Sequence, residues 1–327
     1  MKGRQFVHRK GDGSMKILVY GAGVLGSYLA YELDKGGHDV TILARGARYE
    51  ALKSNGLVVR HYVQRKTTST SIKVIDSFKE DDYYDAVFVA MQRTQIDSVL
   101  QSISANKSCK LYILVGNNGT ADETYERIRK NSVVNPTVLF AFQGCGGRRE
   151  GDKVISIHMK KTSFSIGALS GDTSYRRIID DIFASTSFKL YHSPNIDGWL
   201  KYHLAFIMPL VYGTHWAKGN LKLLSKNKEM INETIDAIEE GYEVIKACGY
   251  PVEPKEDEDY VKRNRRKLYW LIKIMSATPI GKLAVGDHSM SAIEEMNCLN
   301  DEFDRLKKKA AISTPNWDRL QENLIKQ

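Results

Sequence analysis

Directly after the run Lys16–Tyr20 (KILVY), the chain reads Gly21-Ala22-Gly23-Val24-Leu25-Gly26, and a helical stretch continues to about Lys35. Three glycines at this spacing, between a strand and a helix, leave few folds open. The first permits a tight turn, the second lets the backbone approach a pyrophosphate, and the third lets the helix pack close to the strand. The helix start then offers free N–H groups and the positive end of its dipole to the phosphates. These six residues are therefore the candidate dinucleotide-binding loop. A second strand, Asp39–Leu43 (DVTIL), follows at the distance the motif requires.

The pattern continues as Ala86–Ala90 (AVFVA), residues 110–115 (KLYILV) and residues 137–141 (TVLFA), each separated by helical sequence. Continuous apolar runs of this kind predict parallel strands buried on both faces. Lys153–Ile157 and residues 163–166 read as a hairpin pair, and residues 188–191 as the last strand. From about Pro194 the β-type runs stop. Trp199, Leu200, His203, Leu204, Ile207, Leu210 and Val211 recur at helical spacing, as do Met230, Ile231, Ile235, Ile238, Tyr242 and Ile245. The expected fold class is α/β: an N-terminal Rossmann dinucleotide-binding domain over residues 15–193 and a C-terminal all-helical domain over 194–327. Residues 1–14 are polar, carry four cations against Asp12 alone, and read as a tag or disordered extension.

The second strand ends Ile42-Leu43-Ala44-Arg45, with Arg48 nearby. A site for NAD usually has a carboxylate at this tip to hold the ribose hydroxyls. A guanidinium instead can grip a 2′-phosphate with two hydrogen bonds. Arg45 therefore favours NADPH/NADP over NADH/NAD. The net charge of +9 suits an anionic ligand. The basic run Lys262-Arg263-Asn264-Arg265-Arg266-Lys267 follows Glu256-Asp257-Glu258-Asp259. Pairing at helical spacing makes it a solvated helix face, so no nucleic-acid partner is expected. No run approaches the ~18 uninterrupted apolar residues of a membrane span, so none is expected there either. Cys109, Cys145, Cys248 and Cys298 lie too far apart for a chelating pair. They read as reduced thiols of a cytoplasmic protein, with no metal site.

Residues 15–57 resemble the start of ketopantoate reductases (2-dehydropantoate 2-reductases), and further anchors follow in that family's order. Asn118-Gly119 stands just past the KLYILV strand. Gly146-Gly147 and Ser165-Ile166-Gly167 match the family's glycine-bearing features. Trp199-Leu200-Lys201 matches its Trp-x-Lys at the opening of the helical domain, and Glu295-Met296-Asn297-Cys298-Leu299-Asn300 its glutamate-bearing helix. The resemblance implies hydride transfer from NADPH to the keto carbon of a 2-oxo acid, within pantothenate biosynthesis. It implies Lys201 as proton donor, Asn118 as a contact to both cofactor and substrate, and Glu295 beside the nicotinamide ribose. Gln92 stands where the family has a lysine or arginine after the AVFVA strand and is carried as a cofactor contact, with Arg93 adjacent. The family dimerises through its helical domain, so a homodimer is expected. The chemistry agrees, because an alkoxide formed by hydride arrival needs a positioned cation or proton donor.

The match has departures. Where the family carries substrate-binding asparagines four and eight residues past the lysine, this chain has Ala205 and Pro209. Asn220 is the remaining asparagine candidate for the substrate. The family's serine upstream of the glutamate has no clear match, and the chain reads Gly286-Asp287-His288-Ser289-Met290 there. His288, seven residues before Glu295, is the group that compensates in substrate binding. The chain is thus expected to be a divergent member, an NADPH-dependent reductase of ketopantoate or a related small keto acid. The alternative is a non-catalytic NADPH-binding or sensing protein that has lost the substrate site.

Overall fold

The computed structural model describes residues 13–255 and 260–326, so the expectation for the N-terminal extension lies almost entirely outside the described residues. The first part of the chain runs β1 (Lys16–Tyr20), α1 (Val24–Lys35), β2 (Asp39–Leu43), α2 (Ala47–Asn55), β3 (Leu57–His61), β4 (Lys66–Thr70), β5 (Lys73–Ile75) and β6 (Ala86–Ala90). It continues α3 (Arg93–Ala105), β7 (Leu111–Val115), α4 (Ala121–Asn131), β8 (Thr137–Gln143), β9 (Gly146–Glu150), β10 (Lys153–Ile157), β11 (Thr162–Gly167), α5 (Arg176–Phe183) and β12 (Phe188–His192). Every later element is helical among the described residues. These are α6 (Ile196–Trp216), α7 (Leu221–Lys226), α8 (Lys228–Ala247), α9 (Tyr260–Arg263), α10 (Arg265–Ala277), α11 (Pro279–Gly281), a π-turn (Lys282–Gly286), α12 (Asp287–Ser291), α13 (Ile293–Ala310) and α14 (Pro315–Gln321).

The main sheet has the order β12-β11-β8-β7-β6-β1-β2-β5. All its pairs are parallel except β11 against β8. Of the three strands expected to be buried on both faces, every residue of β6 and of β7 is buried, and in β8 Val138 to Ala141 are. The expected hairpin between 153–157 and 163–166 does not form. β10 instead pairs antiparallel with β9 and parallel with β3, in a second sheet ordered β4-β3-β10-β9. β11 joins the main sheet between β8 and β12. The missed partners, GGRRE and KTTST, are polar strands without an apolar face, which a search for buried runs passes over.

The helical half packs around α6, which is apolar almost all round and therefore interior to the assembly. Asn195 caps its start by accepting the Gly198 N–H (3.0 Å). One side of α6 meets α8 and α14, with Trp317 of α14 stacked on Phe303 of α13 at 3.9 Å. Its other side faces the main sheet across a cleft.

Candidate functional site

The cleft has a volume of about 1850 Å³, larger than the roughly 300–1,000 Å³ that serves one small ligand. Its sheet side is lined by the glycine loop and the C-terminal ends of β2, β6, β7 and β8; its helical side by α6 and α10 to α13. Outside the carboxyl ends of parallel strands is where an open α/β sheet binds ligands.

The glycine loop is built as the motif requires. Gly21 has φ +120°, and a Cβ there would sit 2.2 Å from the Ala90 carbonyl oxygen. A Cβ on Gly26 would sit 1.9 Å from the Gly21 oxygen, so the helix can approach the turn this closely only without a side chain. Gly23 faces open space. With Ala22, Val24 and Leu25 it lines the cleft. The first turn of α1 carries no acidic residue and no side-chain cap, leaving its N–H groups for an anion.

Arg45 stands exposed at the tip of β2, lines the cleft, and donates from Nη2 to the Tyr20 hydroxyl (2.9 Å). Arg48 also lines the cleft but is buried and committed to the protein. Its Nε donates to the Ala22 carbonyl (3.2 Å), Nη2 to Ser27 Oγ (3.1 Å) and Nη1 to the Asp152 carbonyl (2.6 Å). It clamps the glycine loop to the β9–β10 turn rather than offering a charge to a ligand.

The loop after β7 separates two adjacent asparagines. Asn118 does not line the cleft: its Oδ1 accepts the Thr120 N–H (3.0 Å) and its Nδ2 donates to Thr124 Oγ1 (3.3 Å). Asn117, not singled out by the sequence, does line the cleft, and its buried Oδ1 has no hydrogen bond. Gln92, at the start of α3, lines the cleft. Arg93 turns away. Its Nε donates to Glu302 Oε1 (2.7 Å) and its Nη2 to Thr120 Oγ1 (2.9 Å). Glu302 Oε1 also accepts from Thr120 Oγ1 (2.9 Å), and its Oε2 takes the Gly119 N–H (2.8 Å). This buried network ties α13 to the sheet and holds both loops that edge the cleft.

Lys201 lies outside the cleft lining. α6 turns Trp199, His203, Phe206, Ile207 and Leu210 into the cleft. At 100° per residue, Lys201 is displaced by 200° from Trp199 and from His203. Its buried ammonium pairs with Asp197 and lies 4.8 Å from the centre of the Tyr250 ring. Ala205 and Pro209, on the same buried face, are also absent from the lining, so the missing asparagines leave no gap in the cleft. Asn220 is exposed at the start of α7, away from the cleft. His203, two residues past Lys201, is the imidazole that α6 presents. It stacks on Trp199 (5.2 Å, 12°) and lies 3.9 Å from Phe142, and burial pushes its pKa down to about 4.

Glu295 and His288 meet, although they stand on two separate helices, α13 and α12, rather than on one helical face. Both line the cleft, and His288 Nε2 lies 2.9 Å from Glu295 Oε2. The distance is that of an ion pair, but that carboxylate oxygen has no aligned hydrogen bond. The other oxygen takes the Arg93 N–H (2.9 Å). Two buried acceptors facing the cleft, Asn117 Oδ1 and Glu295 Oε2, thus suit a ligand rich in hydroxyl and amide donors, as a nicotinamide riboside is.

Among the described residues no group of three or more histidines, cysteines and carboxylates could hold a metal, and no helix is long and apolar enough to cross a membrane. All four cysteines are unpaired with one another. The partners expected for the basic run, residues 256–259, lie outside the described residues; Lys262 instead meets Glu243 of α8 at 3.0 Å.

Residues 17–171 match the family model described as Ketopantoate reductase PanE/ApbA. An uncharacterized oxidoreductase of Bacillus subtilis, YkpB, is 27% identical over 195 residues, which span 58% of this chain and 61% of that protein. The chain therefore aligns to about three fifths of that relative's length. A PanE/ApbA family ketopantoate reductase from Ralstonia eutropha has a similar fold, with TM-score 0.73 and 19% identity over 95% of this chain and 97% of the other. So does a D-mandelate dehydrogenase solved with NADH and anilino(oxo)acetate, with TM-score 0.74 and 16% identity over 95% and 97%.

Proposed function

We propose, from the match of residues 17–171 to the ketopantoate reductase family model, that this chain is an NADP(H)-dependent oxidoreductase interconverting a 2-oxo acid and its 2-hydroxy acid. The carrying observation is that the glycine loop and the cleft-facing side of α6 open onto one cavity. The loop and the start of α1 would hold the pyrophosphate, Arg45 the 2′-phosphate, and Gln92, Asn117 and Glu295 the nicotinamide end. When bound, the dinucleotide supplies or accepts the hydride.

With Lys201 turned away, the proton falls to His203. Its imidazole is held between Trp199 and Phe142 at the cleft wall, and its low pKa keeps it neutral near pH 7. A neutral imidazole takes the hydroxyl proton in the oxidation direction, which its low pKa favours near pH 7; in reduction it must first take a proton from solvent and then passes it to the carbonyl oxygen. His288, beside Glu295, remains the substrate-side partner. Ketopantoate or a related keto acid is the substrate class that the likeness to that family model supports.

A homodimer in the cytoplasm completes this reading. Trp270 and Ile274 of α10 leave large apolar side chains exposed on the helical half, as a subunit contact would use. A second reading, a binding protein without turnover, is favoured by the placement of Lys201. NADPH titration by fluorescence, followed by absorbance at the nicotinamide band with a panel of 2-oxo acids, separates the two. Binding with turnover supports the enzyme, and binding without any turnover supports the second reading.

A further inference from the structure

The helical side of the cleft is a wall of apolar side chains. Trp199, Phe206, Ile207 and Leu210 of α6 are all only partly covered and all line the cavity, and Leu271 and Met275 of α10 face them. The opposite side of α6 is buried in the core; Phe206, Ile207 and Leu210 also pack against that core and Trp199 against the sheet-side core, while each still turns part of its apolar surface to the cleft. Apolar stripes left on a cavity wall mark ligand contacts. Neither Lys nor Arg is among the described residues that line this helical side. The stripe is continuous with the wall that carries His203, between Trp199 and Phe206, so a substituent on a carbon held at His203 would meet it.

We propose that the substrate carries a bulky apolar substituent, of aromatic size, on its carbonyl carbon, and that Trp199, Phe206, Ile207 and Leu210 enclose it. This rests on the oxidoreductase reading above and narrows its substrate class. A small polar side chain would leave the stripe against water and gain nothing from it, whereas a phenyl group removes that surface from water on both sides.

The test compares pyruvate with phenylpyruvate as substrates of the full chain with NADPH. In parallel, unreactive propanoate and 3-phenylpropanoate are titrated into the complex with NADP by following tryptophan fluorescence. The expected results are kcat/KM at least tenfold higher for phenylpyruvate and binding at least tenfold tighter for 3-phenylpropanoate. Leu210→Trp, which narrows the enclosure, should abolish both preferences, with NADPH titration as the check that the variant is folded. Pyruvate used as well as phenylpyruvate overturns the proposal and leaves the oxidoreductase reading standing. No turnover of either, with 3-phenylpropanoate still preferred, leaves the apolar subsite standing and overturns the reductase reading. No turnover and no binding preference overturn the proposal.

Discussion

The guanidinium of Arg93, at the start of α3, lies 2.7 Å from Glu302 of α13, and both side chains are almost fully buried. The pair joins the sheet to the helices across 209 residues of sequence. Glu302 spends its second oxygen on the Gly119 N–H, so one carboxylate holds both loops at the cleft edge. Removing one member of a buried ion pair leaves the other uncompensated. Glu302→Ala should therefore cost about 3–5 kcal/mol in urea unfolding. It should also weaken NADPH binding, since Gln92 and Asn117 sit on the two loops it holds.

Arg45 and Arg48 should separate cleanly. Arg48→Ala strips hydrogen bonds from the Ala22 and Asp152 carbonyls and should destabilise the fold by roughly 1–3 kcal/mol. Arg45→Ala should leave stability nearly unchanged, because its side chain is exposed and rests on one tyrosine hydroxyl. Its effect should be on cofactor choice: a loss of about 10- to 100-fold in NADPH affinity, as for one charge-assisted contact, with NADH affinity little affected. Fluorescence titration of both dinucleotides measures this.

The adjacent asparagines offer an equally sharp contrast. Asn118→Ala removes a turn-forming acceptor from the Thr120 N–H and should cost about 1 kcal/mol of stability. Asn117→Ala removes an unsatisfied buried acceptor and should cost less stability but more cofactor affinity. Thermal melts with and without NADPH would show the opposite ordering if Asn118 were the ligand.

His61 and His203 give the fold a pH limit. Burial pushes each pKa down to about 4, and for His61 the neighbouring His158 adds to it. The unfolded chain has ordinary histidines near 6.5. Above that value neither state binds the proton; as pH falls toward 4, only the unfolded state does, and stability is lost over that window. The full loss is roughly 3 kcal/mol per histidine. The urea midpoint should drop between pH 7.5 and 5, and a flat profile would mean that these imidazoles are not held neutral.

How much of this was legible beforehand follows from how local each feature is. The glycine loop is a contiguous demand of one turn, so Gly21 to Gly26 could be read directly. Lys201 could not be placed, because the helical spacing of apolar residues around it marks a helix but, with apolar residues on nearly every side, not which face meets the cleft. The neighbour two residues on, His203, is set 200° away around the helix and takes the cleft position instead. Asn117 and Asn118 differ only in where a turn sends successive side chains. The Arg93–Glu302 pair leaves no short-range signal, since its members meet only once both halves have folded.

The central claim is that α6 acts on the substrate through His203 and not through Lys201. It is tested most directly by single-turnover NADPH oxidation, with phenylpyruvate in excess, for His203→Gln and Lys201→Met. The account predicts a fall of about 10²–10⁴-fold for His203→Gln with NADPH affinity retained, and less than tenfold for Lys201→Met. A collapse of the rate in Lys201→Met, with His203→Gln close to the parent, would contradict it.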